Sequence, residues 1–190
     1  MTAHPAVLDA CVLVPISLCD VLLELADAAM FQPLWTRTIL DETCKALVER
    51  RGVPLDRAQH RVAEMEAAYP DAMVAGFEPL IPSMGNDPKD RHVLAAAVQA
   101  ACPVIVTANL TDFPKSALAC HGIEAVSPDM FLLGLFDEDP DAVLRAVDAK
   151  RATFRHPPRT MAKFCDILAT TVPRFAARMA AATGDLDASE

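Results

Sequence analysis

The chain has no apolar segment long enough to span a membrane among its 190 residues. Its longest apolar stretch, residues 6–19, is interrupted by Asp9 and Pro15, well short of the roughly 20 residues that a membrane-spanning helix needs. The first ten residues also lack the basic region and the apolar core of a signal peptide. These two absences predict a cytoplasmic protein without a membrane segment.

No Cys-x-x-Cys pair occurs among the six cysteines, and most of them lie among apolar or small residues. In a chain without a secretion signal, this pattern predicts reduced buried thiols rather than disulfides or a zinc site. Hydrophobic residues make up 53% of the chain, which is ample for a core and unlike the composition of a disordered polypeptide. The length suits one domain, or one domain with a small appendage.

Charge is distributed unevenly along the chain, whose net charge is −9. Residues 1–141 carry 21 acidic and 9 basic side chains, whereas residues 142–178 carry 2 acidic and 8 basic ones. An acidic body suits metal binding, and a basic arm suits attraction of a polyanion. The basic residues suit the solvated faces of ordinary helices equally well.

Apolar patterning predicts strands that alternate with helices through the first two thirds of the chain. A first strand that ends near Asp9 is predicted within the apolar run at residues 6–14, and further strands are predicted at residues 72–77, 103–107 and 123–126. Helices are predicted at residues 17–30, 36–51, 55–69 and 87–101, and a shorter one ends near residue 122. The remainder is predicted to be helical, at residues 128–136, 139–154, 160–170 and 172–182. This alternation indicates an α/β fold of three layers, α/β/α, with a mainly parallel sheet.

Four acidic side chains stand where the predicted strands and helices end, namely Asp9, Glu42, Asp90 and Asp112. Carboxylates beside apolar runs are costly to desolvate, and a cluster of them requires a neutralising cation. Clustered carboxylate oxygens are the ligands that Mg²⁺ or Mn²⁺ prefers. Ligands of parallel sheets bind at the carboxyl ends of the strands, near which Asp9 and Asp112 are predicted to lie. The pattern therefore predicts a metal-dependent hydrolase.

Two of these acids have good structural explanations as well. Glu42 suits an exposed helix face, and the helical period barely separates it from Asp41. Asp87 suits the N-cap of the helix that begins at Pro88. Asp90 then occupies the capping-box position of that helix, where it suits both a cap and a ligand.

Asp9 and Asp112 differ in how well an ordinary role accounts for them. Asp9 lies between apolar residues in a predicted buried strand with no glycine nearby, so it needs a partner. Asp112 lies in a polar loop where Asp is common as a turn residue. Thr107 and Asn109 precede it with a hydroxyl and an amide, groups suited to orienting metal or phosphate oxygens.

These segments resemble the PIN-domain family, metal-dependent nucleases that include the VapC toxins of bacterial toxin–antitoxin pairs. The resemblance runs through about residues 5–136, and its most specific segments are DPKDRHVLAAA and VIVTANLTDFP. The helical tail from about residue 137, with HPPRT at residues 156–160, resembles the extension of a longer VapC-like subgroup. The resemblance thus implies a Rossmann-like nuclease domain at 5–136 and a helical extension at 137–190.

The resemblance also implies roles for individual side chains. Its catalytic residues would be Asp9, Glu42, Asp90 and Asp112, gathered around one or two Mg²⁺ or Mn²⁺ ions. Of these, Asp9, Asp90 and Asp112 would hold metal, and Glu42 would position the attacking water or a second metal. Thr107 and Asn109 would orient the ligands. Because many family members have Asp at the position of Asn109, Asn109 and Asp112 stay alternatives for the fourth ligand.

The implied function is that of a metal-dependent endoribonuclease, the toxin of a VapBC-type pair with a cognate antitoxin partner and a homodimeric assembly as a further option. RNA follows from the family alone, since attack by water needs no sugar 2′-hydroxyl. Eight basic residues are candidates for contact with the phosphate backbone or with an acidic partner: Arg145, Lys150, Arg151, Arg155, Arg159, Lys163, Arg174 and Arg178.

Two other functions compete with that of a nuclease. A haloacid-dehalogenase-like phosphatase also places Asp at the end of its first strand, but it needs a second Asp two residues later, where this chain has Cys11. A catalytically weak PIN-like scaffold that binds a protein or nucleic-acid partner is the alternative, because Asn109 is neutral and the chain is acidic.

Overall fold

The computed structural model describes residues 4–154 and 159–187. Its strands are β1 (His4–Leu8), β2 (Phe31–Leu34), β3 (Val104–Val106) and β4 (Glu124–Val126). Its α-helices are α1 (Ala10–Leu13), α2 (Ile16–Asp27), α3 (Arg37–Arg51), α4 (Leu55–Ala68), α5 (Arg91–Gln99), α6 (Lys115–Leu118), α7 (Pro128–Glu138), α8 (Pro140–Ala152), α9 (Met161–Leu168) and α10 (Pro173–Asp187). Short 3-10 turns cover Pro70–Ala72, Glu78–Ser83, Pro88–Asp90, Leu110–Asp112 and Ala119–His121.

The contacts divide these elements into two compact units. The first unit contains the described residues up to 14 together with residues 31–127. The second contains residues 15–30 and the described residues from 128 onward. The change from one unit to the other thus falls after residue 127, whereas the sequence places the end of the nuclease domain at residue 136. That domain boundary stays a prediction.

The first unit is built around a parallel sheet with the strand order β2-β1-β3-β4. The register pairs Val7 of β1 with Leu34 of β2 and with Ile105 of β3. Successive residues of β1, Ala6 to Leu8, are buried, as expected of a parallel strand that is covered on both faces. The predicted α/β class with a mainly parallel sheet is confirmed.

Two details of the predicted sheet are wrong. Residues 72–77 form no strand, and Met73 makes only an isolated bridge to Trp35. The strand that pairs with β1 on this side is β2, which the pattern missed because it is four residues long and contains Pro33. Proline lacks the N–H of a sheet ladder and is tolerated on an edge strand such as β2.

The first strand ends beside Asp9, as the apolar run at residues 6–14 predicts. The apolar run at residues 6–14 leaves the sheet at Leu8 and turns into α1 after Asp9. A short apolar run has the same composition in a buried strand and in a buried helix, so the pattern alone does not separate them. As a result Asp9 stands directly beyond the carboxyl end of β1.

Helix α3 begins after a capping threonine and ends at a glycine. The Thr36 hydroxyl accepts a hydrogen bond from the backbone N–H of Ile39 at 3.1 Å, which caps the first turn. The helix ends at Gly52, whose φ of 66° is a left-handed conformation that glycine adopts without a steric cost. These two signals fix the position of Glu42 on α3.

The second unit is entirely helical in its described residues. Its core contains fully buried side chains from four helices, namely Leu22 of α2, Val143 of α8, Phe164 of α9 and Phe175 of α10. The carboxylate of Asp129 accepts the backbone N–H groups of Arg174 and Phe175 at 3.3 and 2.8 Å, which ties the start of α10 to α7.

All six cysteines are free thiols, and three of the six are buried as the sequence predicts. Cys19, Cys102 and Cys165 are buried, and Cys120 is exposed. No helix in the described part of the chain is both long enough and apolar enough to cross a membrane.

Candidate active site

Asp9 is held at the carboxyl edge of the sheet by its backbone and by its side chain. Its N–H donates to the carbonyl of Val106 on the neighbouring strand β3 at 3.1 Å. The residue is only 4% exposed. Its Oδ2 atom accepts hydrogen bonds from the hydroxyl of Thr107 at 2.7 Å and from the thiol of Cys11 at 3.0 Å. One oxygen of this carboxylate is therefore fixed by two donors.

Thr107 and Cys11 are themselves held by backbone groups that follow β3. The Thr107 hydroxyl accepts the N–H of Asn109 at 3.0 Å, and the Cys11 sulfur accepts the N–H of Ala108 at 3.1 Å. Burial, and then the negative charge of Asp9, raise the pKa of the Cys11 thiol to about 12. The thiol therefore stays protonated at neutral pH and acts as a hydrogen-bond donor rather than as a nucleophile.

Asp90 lies at the start of α5 with its side chain buried, and the residue is 8% exposed. Its Oδ2 atom has no hydrogen-bond partner within the described residues. Burial, and then the charge of Asp9, raise the pKa of Asp90 to about 6. When it is ionised, a carboxylate in this position has too few hydrogen bonds and too little positive charge nearby to offset its burial. A bound cation would supply that positive charge.

The capping role predicted for Asp90 is wrong. Its side chain makes no capping hydrogen bond to the helix. Asp87 alone caps this segment, since its carboxylate accepts the N–H of Lys89 at 3.1 Å. The reason is that residues 88–90 form a 3-10 turn before α5 begins, which shifts Asp90 away from the capping-box position. Its carboxylate is left available for another role.

Asp9, Asp90 and Asp112 form the carboxylate cluster, to which Asp112 is joined through Lys89. No sequence signal pointed to Lys89. The Nζ atom of Lys89 lies 2.9 Å from Oδ2 of Asp112 and 3.8 Å from Oδ2 of Asp90. The hydrogen bond from Lys89 lowers the pKa of Asp112. The same hydrogen bond raises the pKa of Lys89. A lysine thus supplies the positive charge on this side of the carboxylate cluster.

Glu42 has a different partner, His92 of α5. The Oε1 atom of Glu42 lies 3.2 Å from Nε2 of His92, an ion pair when the ring is protonated. His92 is 8% exposed, and neither of its ring nitrogens makes a hydrogen bond within the described residues. The Glu42 side chain is 45% exposed. No sequence signal pointed to His92, because the contact joins α3 to α5.

Asn109 is exposed and joins the cluster through its backbone N–H. Asp112, by contrast, is electrostatically linked to Asp90. These contacts favour Asp112 over Asn109 as a partner of the buried carboxylates. The ligand set itself stays a prediction.

The carboxylate cluster fits a hard divalent cation, because Asp9, Asp90 and Asp112 offer oxygen ligands and bring three negative charges together. In residues 4–154 and 159–187, however, no three His, Cys, Asp or Glu side chains stand together in a way that holds a metal ion. Lys89 occupies the Oδ2 atom of Asp112, so a cation at that oxygen would compete with the lysine.

Several of the basic residues predicted to contact nucleic acid are engaged within the second unit. Lys150 lies 3.2 Å from Asp20, and Arg151 donates to the Asp148 carboxylate at 2.7 Å. The guanidinium of Arg159 lies 3.8 Å from the centroid of the Phe154 ring.

Other members of that set differ in their partners. Arg174 donates to the sulfur of Met130 at 3.0 Å, and Arg178 donates to Asp137 at 3.2 Å. Arg145 and Lys163 are exposed and have no ion pair with any described residue. Arg155 lies outside the described residues.

Comparison with known proteins identifies the family of the chain. Residues 5–111 match the family described as "PIN domain", and residues 128–181 match "VapC50 C-terminal domain". The chain is 42% identical over 107 residues, 56% of its length, to "Putative ribonuclease VapC50" of Mycobacterium tuberculosis (strain ATCC 25618 / H37Rv). The matched part spans 63% of that relative. No solved structure matches the chain. The family predicted from the sequence is confirmed: the chain belongs to the PIN-domain family.

Proposed function

We propose that the protein is a divalent-metal-dependent endoribonuclease that hydrolyses phosphodiester bonds of RNA. The observation that carries this proposal is the pair of buried carboxylates, Asp9 and Asp90, at the carboxyl edge of the parallel sheet. The Oδ2 atom of Asp90 makes no hydrogen bond within the described residues, and the pKa of Asp90 is raised although Lys89 lies 3.8 Å away, which supports a site that takes up further positive charge. The similarity to a relative named as a ribonuclease supports RNA as the substrate.

Asp9, Asp90 and Asp112 are the residues proposed to hold the metal, Mg²⁺ or Mn²⁺. Asp9 would present Oδ1, because its Oδ2 atom already accepts two hydrogen bonds. When bound, the cation would lower the pKa of a coordinated water and polarise the scissile phosphate.

The side chains around the metal ligands have separate tasks in this proposal. Thr107 and Cys11 hold Asp9 in one orientation, since supporting hydrogen bonds fix ligand geometry. Glu42 accepts a hydrogen bond from the attacking water, and His92 limits the movement of the Glu42 carboxylate. The exposed amide of Asn109 donates to a phosphate oxygen.

RNA would be bound through positive charge elsewhere on the chain. Arg145 and Lys163 are the best candidates because their charges are exposed and make no ion pair with a described residue. Lys150, Arg151 and Arg159 make internal contacts and would add less. A phosphate contact of this kind gives affinity without sequence preference.

The biological part of the proposal is that this nuclease is the toxin of a VapBC-type pair. The match of residues 128–181 to the C-terminal domain family of VapC50 supports it. A cognate antitoxin, a homodimer and a cytoplasmic location belong to the same proposal. A small reading frame that encodes an antitoxin beside this one would support the pairing.

A catalytically weak scaffold is the second candidate function. It is favoured by one observation: the described His, Cys, Asp and Glu side chains form no group of three that is arranged to hold a metal ion. On this view the Lys89–Asp112 ion pair is permanent, and the domain binds its partner without cutting.

The test is cleavage of single-stranded and structured RNA by the purified full chain, with Mg²⁺, with Mn²⁺ and with EDTA. We expect metal-dependent cleavage that Asp9→Asn and Asp90→Asn abolish. Asp87→Asn is the matched control, because Asn also caps helices and Asp87 lies only three residues before Asp90. Cleavage that survives Asp9→Asn unchanged would remove the metal-site proposal, and absence of cleavage by the wild type would favour the scaffold.

A further inference from the structure

The first unit contains a cavity of about 370 Å³ whose lining does not include Asp9, Asp90 or Asp112. It lies between the start of α3 and the segment that follows α4. The lining residues that bear on its chemistry are Arg37, Thr38, Glu66, Tyr69, Phe77 and Glu78.

Two structural features, a shared helix face and a shared sheet edge, place the cavity beside the proposed cleavage site. Thr38 lines it, and Glu42 stands four residues later on α3, so the two side chains share one face of the helix. Trp35 follows β2, as Asp9 follows the adjacent parallel strand β1, so both stand at the same edge of the sheet. The Trp35 and Tyr69 rings meet edge to face, with their centroids 5.7 Å apart.

The two carboxylates of the cavity differ in availability. Arg37 donates to both oxygens of Glu66, with Nη1 at 3.0 Å from Oε2 and Nη2 against Oε1. Glu66 is therefore neutralised and fixed as part of the wall. Glu78 is exposed and has neither an ion pair nor a hydrogen bond with any described residue. The cavity thus combines aromatic rings with one free carboxylate.

We propose that this cavity binds an unpaired guanine base of the RNA, with Glu78 as the residue that selects it; this rests on the proposed ribonuclease function. Proteins recognise single-stranded RNA by aromatic contact with splayed bases and by hydrogen bonds to their Watson–Crick edges. Guanine presents two adjacent donors on that edge, N1–H and the N2 amino group, which match the two oxygens of one carboxylate. Adenine, cytosine and uracil each present an acceptor next to their donor, which a carboxylate repels.

The first experiment measures binding without cleavage. Guanosine, inosine, adenosine, cytidine and uridine are titrated into the full chain in EDTA, and binding is followed by the fluorescence of the single tryptophan, Trp35, whose ring contacts the cavity-lining Tyr69. We expect guanosine to bind about tenfold more tightly than inosine, which lacks the N2 amino group. Glu78→Gln should remove this preference. Glu64→Gln should keep it, because Glu64 is an exposed carboxylate on α4 that has no ion pair with a described residue.

Equal binding of guanosine and inosine by the wild type would overturn the proposal. So would a preference that Glu78→Gln leaves intact. Because no RNA is cut in this experiment, its result does not depend on the nuclease proposal. Guanosine selectivity in a protein that fails to cleave RNA would support the cavity and contradict the nuclease.

The second experiment uses short RNAs that carry guanine or inosine at each position around the cut. Glu78→Gln should raise KM for the guanine substrate about tenfold with kcat little changed. Substitution of inosine should have the same effect on the wild type and no further effect on the variant. Cleavage by the wild type with no dependence on either change would leave the nuclease proposal standing and remove the base-binding site.

Discussion

Lys89 and Asp112 form an ion pair at the edge of the carboxylate cluster, with 2.9 Å between Nζ and Oδ2. Lys89 lies in the 3-10 turn before α5, and Asp112 lies in the 3-10 turn after β3. A divalent cation at the Oδ2 atom of Asp112 would compete with Lys89 for that atom.

We expect Lys89→Met to bind Mn²⁺ more tightly than the wild type, because the variant removes the competing charge while keeping the length of the side chain. The gain should be about tenfold, the order of the change that a contact around a metal ligand produces. Lys115→Met is the control, since Lys115 is also exposed and has no ion pair with a described residue. Calorimetry in the absence of RNA makes the measurement. Equal affinities of the two variants would show that Lys89 does not compete with the metal.

Asp90→Asn should stabilise the metal-free protein at neutral pH. The folded-state pKa of Asp90 is raised from 3.8 to about 6, so ionised Asp90 destabilises the fold at pH values above about 6. The gain from Asn should approach about 1–3 kcal/mol in the free energy of unfolding at pH 7–8. It should shrink as the pH falls through 6 and vanish below about 4, where the carboxyl group is protonated in both states.

Urea titrations of the wild type, Asp90→Asn and Asp87→Asn between pH 4 and 8 measure this effect. Asp87 caps its turn through Lys89, and Asn preserves a cap, so Asp87→Asn should show no pH-dependent gain. A destabilised Asp90→Asn variant at pH 7–8 would contradict the raised pKa.

Thr107→Val should weaken both the fold and the metal site. The Thr107 hydroxyl donates to Asp9 at 2.7 Å and accepts the N–H of Asn109 at 3.0 Å, and the residue is fully buried. Valine has nearly the same shape, so the loss is that of the hydroxyl, about 1–3 kcal/mol of stability. Loss of this support should also lower Mn²⁺ affinity about 10- to 100-fold.

Thr107→Ser separates the hydroxyl from the methyl group of this side chain. It keeps the donor to Asp9, so Mn²⁺ affinity should return to within about threefold of the wild-type value even where a lost methyl group lowers the melting temperature. If Thr107→Ser and Thr107→Val bound Mn²⁺ equally well, the hydroxyl would not position Asp9.

The alternation of strands and helices in the sequence predicts which residues follow the strands at the carboxyl edge of the sheet. Asp9 and Thr107 each follow an apolar run, and parallel strands place such residues at one edge of the sheet. Neighbouring strands then bring the two side chains into contact, as the 2.7 Å hydrogen bond shows. The parallel sheet was predicted by the same reasoning, although β2 was missed because four residues with a proline carry little periodicity.

The contacts of Cys11, Lys89 and His92 could not be predicted from the sequence. Cys11 reaches Thr107 across 96 positions of the chain, and Lys89 reaches Asp112 across 23. Such contacts depend on how helices and loops are placed around the sheet. The spacing of apolar residues along the sequence does not specify that placement. Likewise the capping-box position of Asp90 depends on whether the first turn is α or 3-10, a difference with no clear sequence signature.

The free charges of the second unit should contribute more to RNA affinity than the engaged ones. Arg145 and Lys163 have no ion pair with a described residue, whereas Arg151 donates to Asp148 and to the carbonyl of Arg159. Fluorescence anisotropy of a labelled RNA, measured at several salt concentrations, compares the variants. Each of Arg145→Ala and Lys163→Ala should weaken binding and reduce the salt slope by about 1. Arg151→Ala should instead lower the melting temperature with a smaller change in slope. An unchanged slope in the Arg145→Ala/Lys163→Ala double variant would exclude this surface as the RNA contact.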